Sequence, residues 1–85
     1  MYTIVYLEVV VKKEIPKLST SAKQAIKTAI EEKLSTEPVK FGKPLQYSLK
    51  NHRRLRVGDY RVIYRIEQPD TIVVVAIKYR RDVYD

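Results

Sequence analysis

The residues able to do chemistry in this 85-residue chain crowd into its second half. From Lys43 to Arg65 run seven Lys or Arg (Lys43, Lys50, Arg53, Arg54, Arg56, Arg61 and Arg65) against one acid, Asp59. All seven Arg of the chain fall between Arg53 and Arg81. Arg presents a planar, bidentate donor fork that suits a phosphate, whereas Lys is a compact and strongly hydrated charge. The single His, His52, lies inside the run, and an imidazole is the side chain that titrates near neutrality without help. A second basic cluster, Lys78-Tyr79-Arg80-Arg81-Asp82-Val83-Tyr84, follows later. Groups of this kind can bind an anion and stabilise charge developing on it. The plain alternative is a solvated, charged surface.

The composition narrows the choice. With 17 Lys or Arg against 10 Asp or Glu, the net charge is +7, which points to a polyanionic partner. No Cys is present, so there is no disulfide framework, no Cys-based zinc site and no Cys nucleophile. One His rules out a multi-His metal cage within the chain, and no cofactor is expected. The length suits a single domain over residues 1–85 with a modest core. The longest purely apolar run, Ile72 to Ile77, is far short of the ~20 residues of a membrane span. The first basic residues follow the N-terminal apolar stretch, the reverse of a secretory signal, so a cytoplasmic location is expected.

Certain elements must position these groups. Residues 2–7 are rich in β-formers and read as a strand. By propensity Glu8 to Ile15 continues that strand; the alternative is a short helix stopped near Pro16. Leu18, Ala22, Ala25, Ile26, Ala29, Ile30 and Leu34 recur at helical spacing, predicting an amphipathic helix over 20–34 capped by Ser19 or Thr20. Glu37, Pro38, Gly42 and Pro44 mark a loop. Three strand regions follow: 47–57, 60–67 and 71–78. The last, IVVVAI, is apolar on both faces and belongs inside a sheet. The result is an α+β domain with a mostly antiparallel sheet.

Gly58-Asp59 reads as a two-residue hairpin turn, because Gly accepts the positive φ that such turns demand. That turn fixes a register: Val57 opposite Tyr60, Arg56 opposite Arg61, Leu55 opposite Val62, and so on to His52 opposite Arg65. Alternation then sends Leu55, Val57, Tyr60, Val62 and Tyr64 to one face. His52, Arg54, Arg56, Arg61, Ile63 and Arg65 go to the other. Two Arg directly opposed repel one another, a pairing that makes sense if an anion sits across it.

The segments LRVGDYRVIYRIE and IVVVAIKYRRDVY, preceded by KEIPKLS, SAKQAIKTAIEEKL and KFGKPL, resemble the RelE toxins of prokaryotic toxin–antitoxin systems, within the RelE/ParE superfamily. The resemblance spans essentially the whole chain. It implies a RelE-like fold: a small, mostly antiparallel sheet with two N-terminal helices on one face, in the order β-α-α-β-β-β. That makes Glu8 to Ile15 a first helix, against its propensity. It implies ribosome-dependent cleavage of mRNA in the A site. The partners would be mRNA, the ribosome with the 16S rRNA of that site, and a cognate RelB-like antitoxin.

By the same resemblance, the basic groups before the hairpin turn are His52, Arg54 and Arg56, and the Arg of GDYR is Arg61. The basic residue ending the last strand is Arg80 or Arg81, and the C-terminal Tyr is Tyr84, the acid/base group. The position before the Arg pair, commonly His in related toxins, is Tyr79 here. Catalytic roles are thus expected at Arg61, Tyr84, Arg80, Arg81 and His52, and RNA contacts at Arg54, Arg56, Arg65, Lys50 and Lys43. A phenol titrates near pH 10, too high for a base at neutral pH unless nearby cations lower it. His52 therefore stays a rival base. Two other functions remain open: DNA gyrase inhibition of the ParE type, and RNA binding without catalysis.

Overall fold

The computed structural model describes residues 1–45 and 51–79. Among these, five strands form one sheet: β1 (Thr3–Tyr6), β2 (Lys43–Pro44), β3 (His52–Val57), β4 (Tyr60–Glu67) and β5 (Thr71–Tyr79). Their spatial order is β1-β5-β4-β3-β2. β1 lies parallel to β5, and the other neighbours are antiparallel. The apolar run of β5 is therefore interior, as its composition predicts. The structure has the predicted α+β class, and no described helix is long and apolar enough to cross a membrane.

The helical residues pack on one face. A first segment runs as a π turn over Val10–Glu14 and a tighter 3-10 turn over Ile15–Lys17. Helix α1 (Thr20–Ala29) continues as a π turn over Ile30–Leu34, and the short α2 spans Pro38–Phe41. Ser19 caps α1 by accepting the Ala22 N–H at 3.1 Å. Ile26, Ile30 and Leu34, each four residues apart, are buried, whereas Ala25 turns to solvent, contrary to its place in the predicted stripe.

The first segment is helical although Val9, Val10 and Val11 favour strands. Pairing of β1 with β5 ends where the Leu7 N–H reaches Val74 O at 3.1 Å. The chain then turns, and Val10 becomes fully buried in the core. Burial of one side chain outweighs a propensity difference of about 1 kcal/mol. The core joins Val10, Ile26, Ile30 and Leu34 to Leu55, Val62, Tyr64, Ile72, Val74 and Ile77 of the sheet.

The β4–β5 ladder carries one irregularity. Tyr64 pairs with Val74 but Ile63 pairs with Ala76, so Val75 is an extra residue in β5. The bulge shifts the phase of alternation. Ile72 and Val74 face the core before it, and Ile77 does so after it.

The predicted 37–44 loop holds α2 and the two residues of β2, which pair with Arg53 and Arg54. Tyr64 fixes this region. Its buried hydroxyl donates to Pro38 O at 2.5 Å, and a Cβ on Gly42 would overlap that hydroxyl. Burial pushes the Tyr64 phenol above its ordinary pKa, with the Arg53 guanidinium working in the opposite sense.

Candidate anion-binding face

The β3–β4 hairpin has the predicted register at every pair, from Val57↔Tyr60 to His52↔Arg65. Gly58 has φ +59 and Asp59 has negative φ, the pattern of a type II′ turn that matches the twist of the flanking strands. Strand alternation then places His52, Arg54 and Arg56 of β3 beside Arg61, Ile63 and Arg65 of β4, on the face away from the helices.

The sheet extends this face. Arg61 lies opposite both Arg56 on β3 and Lys78 on β5, so three cations stand in one row across three strands. The next row joins Lys43, Arg54, Ile63 and Ala76, and the one after it His52, Arg65 and Val73. Ile63 and Val73 are nearly fully buried at its centre. Arg56 is exposed, and His52, Arg54, Arg61 and Arg65 are half-buried.

Carboxylates temper the charge, among them Glu67 and Glu14. Glu67 pairs with Arg65, Oε2 to Nε at 2.8 Å. Glu14 holds Lys78, Oε2 to Nζ at 2.6 Å, and its Oε1 accepts the Ile77 N–H at 2.7 Å. Neither was singled out by sequence reasoning. The Glu67 contact follows from its i+2 position on the same strand face as Arg65. The Glu14 contact depends on the first helical segment, for which propensity gives no signal.

Arg53 belongs to a different environment from its neighbours. It faces the helices opposite Tyr64 and donates through one terminal nitrogen to Val39 O at 2.9 Å and Gly42 O at 2.8 Å. It ties α2 and β2 to β3. Tyr79 lies opposite Tyr60 and packs edge-on against it, centroids 5.5 Å apart, so it sits on the packing side and not among the cations. Of the expected site residues, the structure brings together His52, Arg54, Arg56, Arg61, Arg65 and Lys43. Lys50, Arg80, Arg81 and Tyr84 lie outside the described residues, as does the predicted strand over 47–50.

One small α+β sheet, helices on one side and cations on the other, defines the class. The chain belongs to the family described as the ParE toxin of type II toxin–antitoxin system, parDE, whose model matches residues 5–84, and it is a type II toxin of the RelE/ParE superfamily. Toxin RelG of Mycobacterium tuberculosis is 40% identical over 52 residues. That match covers 60% of this chain and 60% of the relative's own length. Among solved structures, the RelBE2 toxin–antitoxin complex of Mycobacterium tuberculosis matches with a TM-score of 0.84 and 30% identity, covering 93% of this chain and 98% of that chain. The RelB–RelE antitoxin–toxin complex of Methanococcus jannaschii matches with a TM-score of 0.72 and 25% identity over 95% of each.

Proposed function

We propose that this toxin is an endoribonuclease that cuts mRNA in the ribosomal A site. The observation that carries this reading is the row Arg56–Arg61–Lys78, flanked by Arg54, His52 and Arg65 on one face. Like charges in register cost stability. A phosphate lying across them relieves that cost, and fixed cations aimed at developing negative charge lower a barrier.

The nucleophile comes from the RNA itself, and the protein supplies the proton transfers and the charge. The ribose 2′-oxygen attacks the adjoining phosphorus, its proton passing to a base as the O2′–P bond forms. The P–O5′ bond breaks and O5′ takes a proton, leaving a cyclic phosphate and a 5′-hydroxyl. Arg61 and Arg56 hold the phosphoryl oxygens, with Arg80 or Arg81 joining them. Tyr84 is the acid/base group, in the role that resemblance implies, and His52 is its rival. Arg54, Arg65, Lys43 and Lys50 bind flanking phosphates. The toxin acts in the cytoplasm, where ribosomes are. A RelB-like antitoxin neutralises it, a reading supported by relatives solved as toxin–antitoxin complexes, and the basic face is the surface it covers.

Mapping cuts on ribosome-bound message tests this. Arg61→Ala and Tyr84→Phe should both abolish cleavage, and only Arg61→Ala should lower ribosome affinity. Cleavage by Tyr84→Phe at the wild-type rate removes Tyr84 from the chemistry. The family description names ParE, which favours a second reading, DNA gyrase inhibition of the ParE type. A protein that spares ribosome-bound message but stops supercoiling would establish it.

A further inference from the structure

At the edge of the sheet, beside the basic face, lies a cleft of about 270 Å³ lined by Lys33, Phe41, Lys43, Arg54, Leu55 and Arg56. It exists because β2 is short. β2 pairs only with Arg53 and Arg54, so β3 runs on past it through Leu55, Arg56 and Val57. The lining carries four cations and no acid among the described residues. Its aromatic wall is Phe41, the only Phe of the chain. Phe41 is 40% exposed, and it is the one aromatic among the large apolar residues left exposed in the described residues.

Two ammonium groups attend this ring, Lys33 Nζ at 5.7 Å and Lys40 Nζ at 5.5 Å from its centroid. Both come from exposed, flexible side chains, and Lys40 also reaches Glu37 at 3.4 Å. Cations over a π face are held by its negative quadrupole. A flat heterocycle can displace either one, and the displaced ammonium stays within reach of the phosphate next to that base. An aromatic platform among cations is the combination that holds single strands, one base stacked and its backbone tracked by charge.

We propose that Phe41, with Lys33, Lys43, Arg54 and Arg56, forms a stacking subsite for one unpaired base of single-stranded RNA and its flanking phosphates. The inference rests on the RNA-cleaving reading above and extends it. Arg54 and Arg56 also belong to the basic face, and β3 is one strand spacing, about 4.8 Å, from Arg61 on β4. A nucleotide adjoining the phosphate held by Arg61 therefore reaches the cleft. Substrate context would be set here by how well that neighbouring base stacks.

The chain has no Trp, so Phe41→Trp places a single indole reporter in the cleft. Its fluorescence should be quenched by a short single-stranded RNA and not by an abasic backbone of the same length. With the native residue, Phe41→Leu keeps apolar bulk but loses the π face. It should weaken binding of that RNA roughly tenfold at an unchanged salt slope, with Phe41→Tyr close to wild type. Lys43→Ala should lower the salt slope by about one counterion. Equal binding by wild type and Phe41→Leu, equal binding of abasic and base-bearing strands, or no RNA binding at low salt would each overturn the subsite. If Phe41→Leu cleaves ribosome-bound message but binds RNA like wild type, the subsite fails and the cleavage reading stands. If the quench appears while wild type leaves ribosome-bound message intact, the reverse holds.

Discussion

The Glu14 carboxylate accepts the backbone N–H of Ile77 at 2.7 Å, a contact that joins the first helical segment to the final strand. It occurs where β1 has already ended, since β1 pairs with β5 only as far as Val74. A backbone donor at a sheet edge needs a partner when shielded from water. Glu14, only 12% exposed, supplies it and binds Lys78 with its other oxygen. Glu14→Ala strands the amide and returns an uncompensated charge to Lys78, opposite Arg61. It should cost about 2 kcal/mol in urea denaturation. Glu14→Gln keeps an acceptor for the amide and should cost less than half as much. A Glu14→Ala protein within about 0.5 kcal/mol of wild type would show that the contact carries no stability.

Tyr64 gives a pH-dependent prediction. Its phenol is buried, donates to Pro38 O and is held above its ordinary pKa by that burial. Tyr6 shifts the same way, through burial and the nearby Glu31 carboxylate. A group that holds its proton more tightly when folded contributes stability below its unfolded pKa and loses it as pH rises through the folded value. The Tyr64 contribution to stability should be level below the ordinary phenol value of 10.0 and fall above it. Tyr64→Phe should cost about 1–2 kcal/mol at neutral pH and reduce the alkaline loss, read as melting temperature against pH. An unchanged alkaline slope would assign that loss elsewhere.

The two glycines should respond differently to a methyl group. Gly58 has φ +59 with open space around it, so Gly58→Ala meets only backbone strain of about 1–2 kcal/mol. At Gly42 the added Cβ would overlap the Tyr64 hydroxyl, which is fixed in the core. Gly42→Ala should cost more than 3 kcal/mol and break the Pro38 bond. Parallel denaturation of the two variants decides the order, and the reverse order would refute this account of the packing.

Arg56 should trade stability against binding. It faces Arg61 in register and is exposed. Arg56→Thr removes like-charge repulsion and adds a good strand former, so it should stabilise the fold by up to about 1 kcal/mol. The same change should weaken RNA binding and flatten its salt dependence. Loss of stability without loss of binding would contradict the role given to this row.

The hairpin was legible because local rules agreed there. Gly58 demanded a tight turn, and the alternation of Leu55, Val57, Val62 and Tyr64 allowed a single register. The helix over 20–34 was legible from Ile26, Ile30 and Leu34 and from the Ser19 cap. Other features depend on distant partners. Val10 is helical because the core takes it, against its own propensity. The Val75 bulge is invisible in a run that is apolar at every position. Arg53 reads like its neighbours until the strand phase sends it towards Tyr64 and the carbonyls of Val39 and Gly42. Phe41 carries no periodic signal, as it ends a four-residue helix in what reads as a loop.

The parallel pairing of β1 with β5 also orders events in time. Among the described strands, β1 comes first in the sequence, and the strand it lies against comes last. The β3–β4 hairpin and α1 close from neighbouring residues and can form early, whereas β1 must wait for a contact that spans nearly the whole chain. Until then its flank and the valine-rich β5 are unpaired edges of the kind that invite association with other chains. Closure of the sheet is thus a late step of folding, and the chain is most exposed to misassembly just before it.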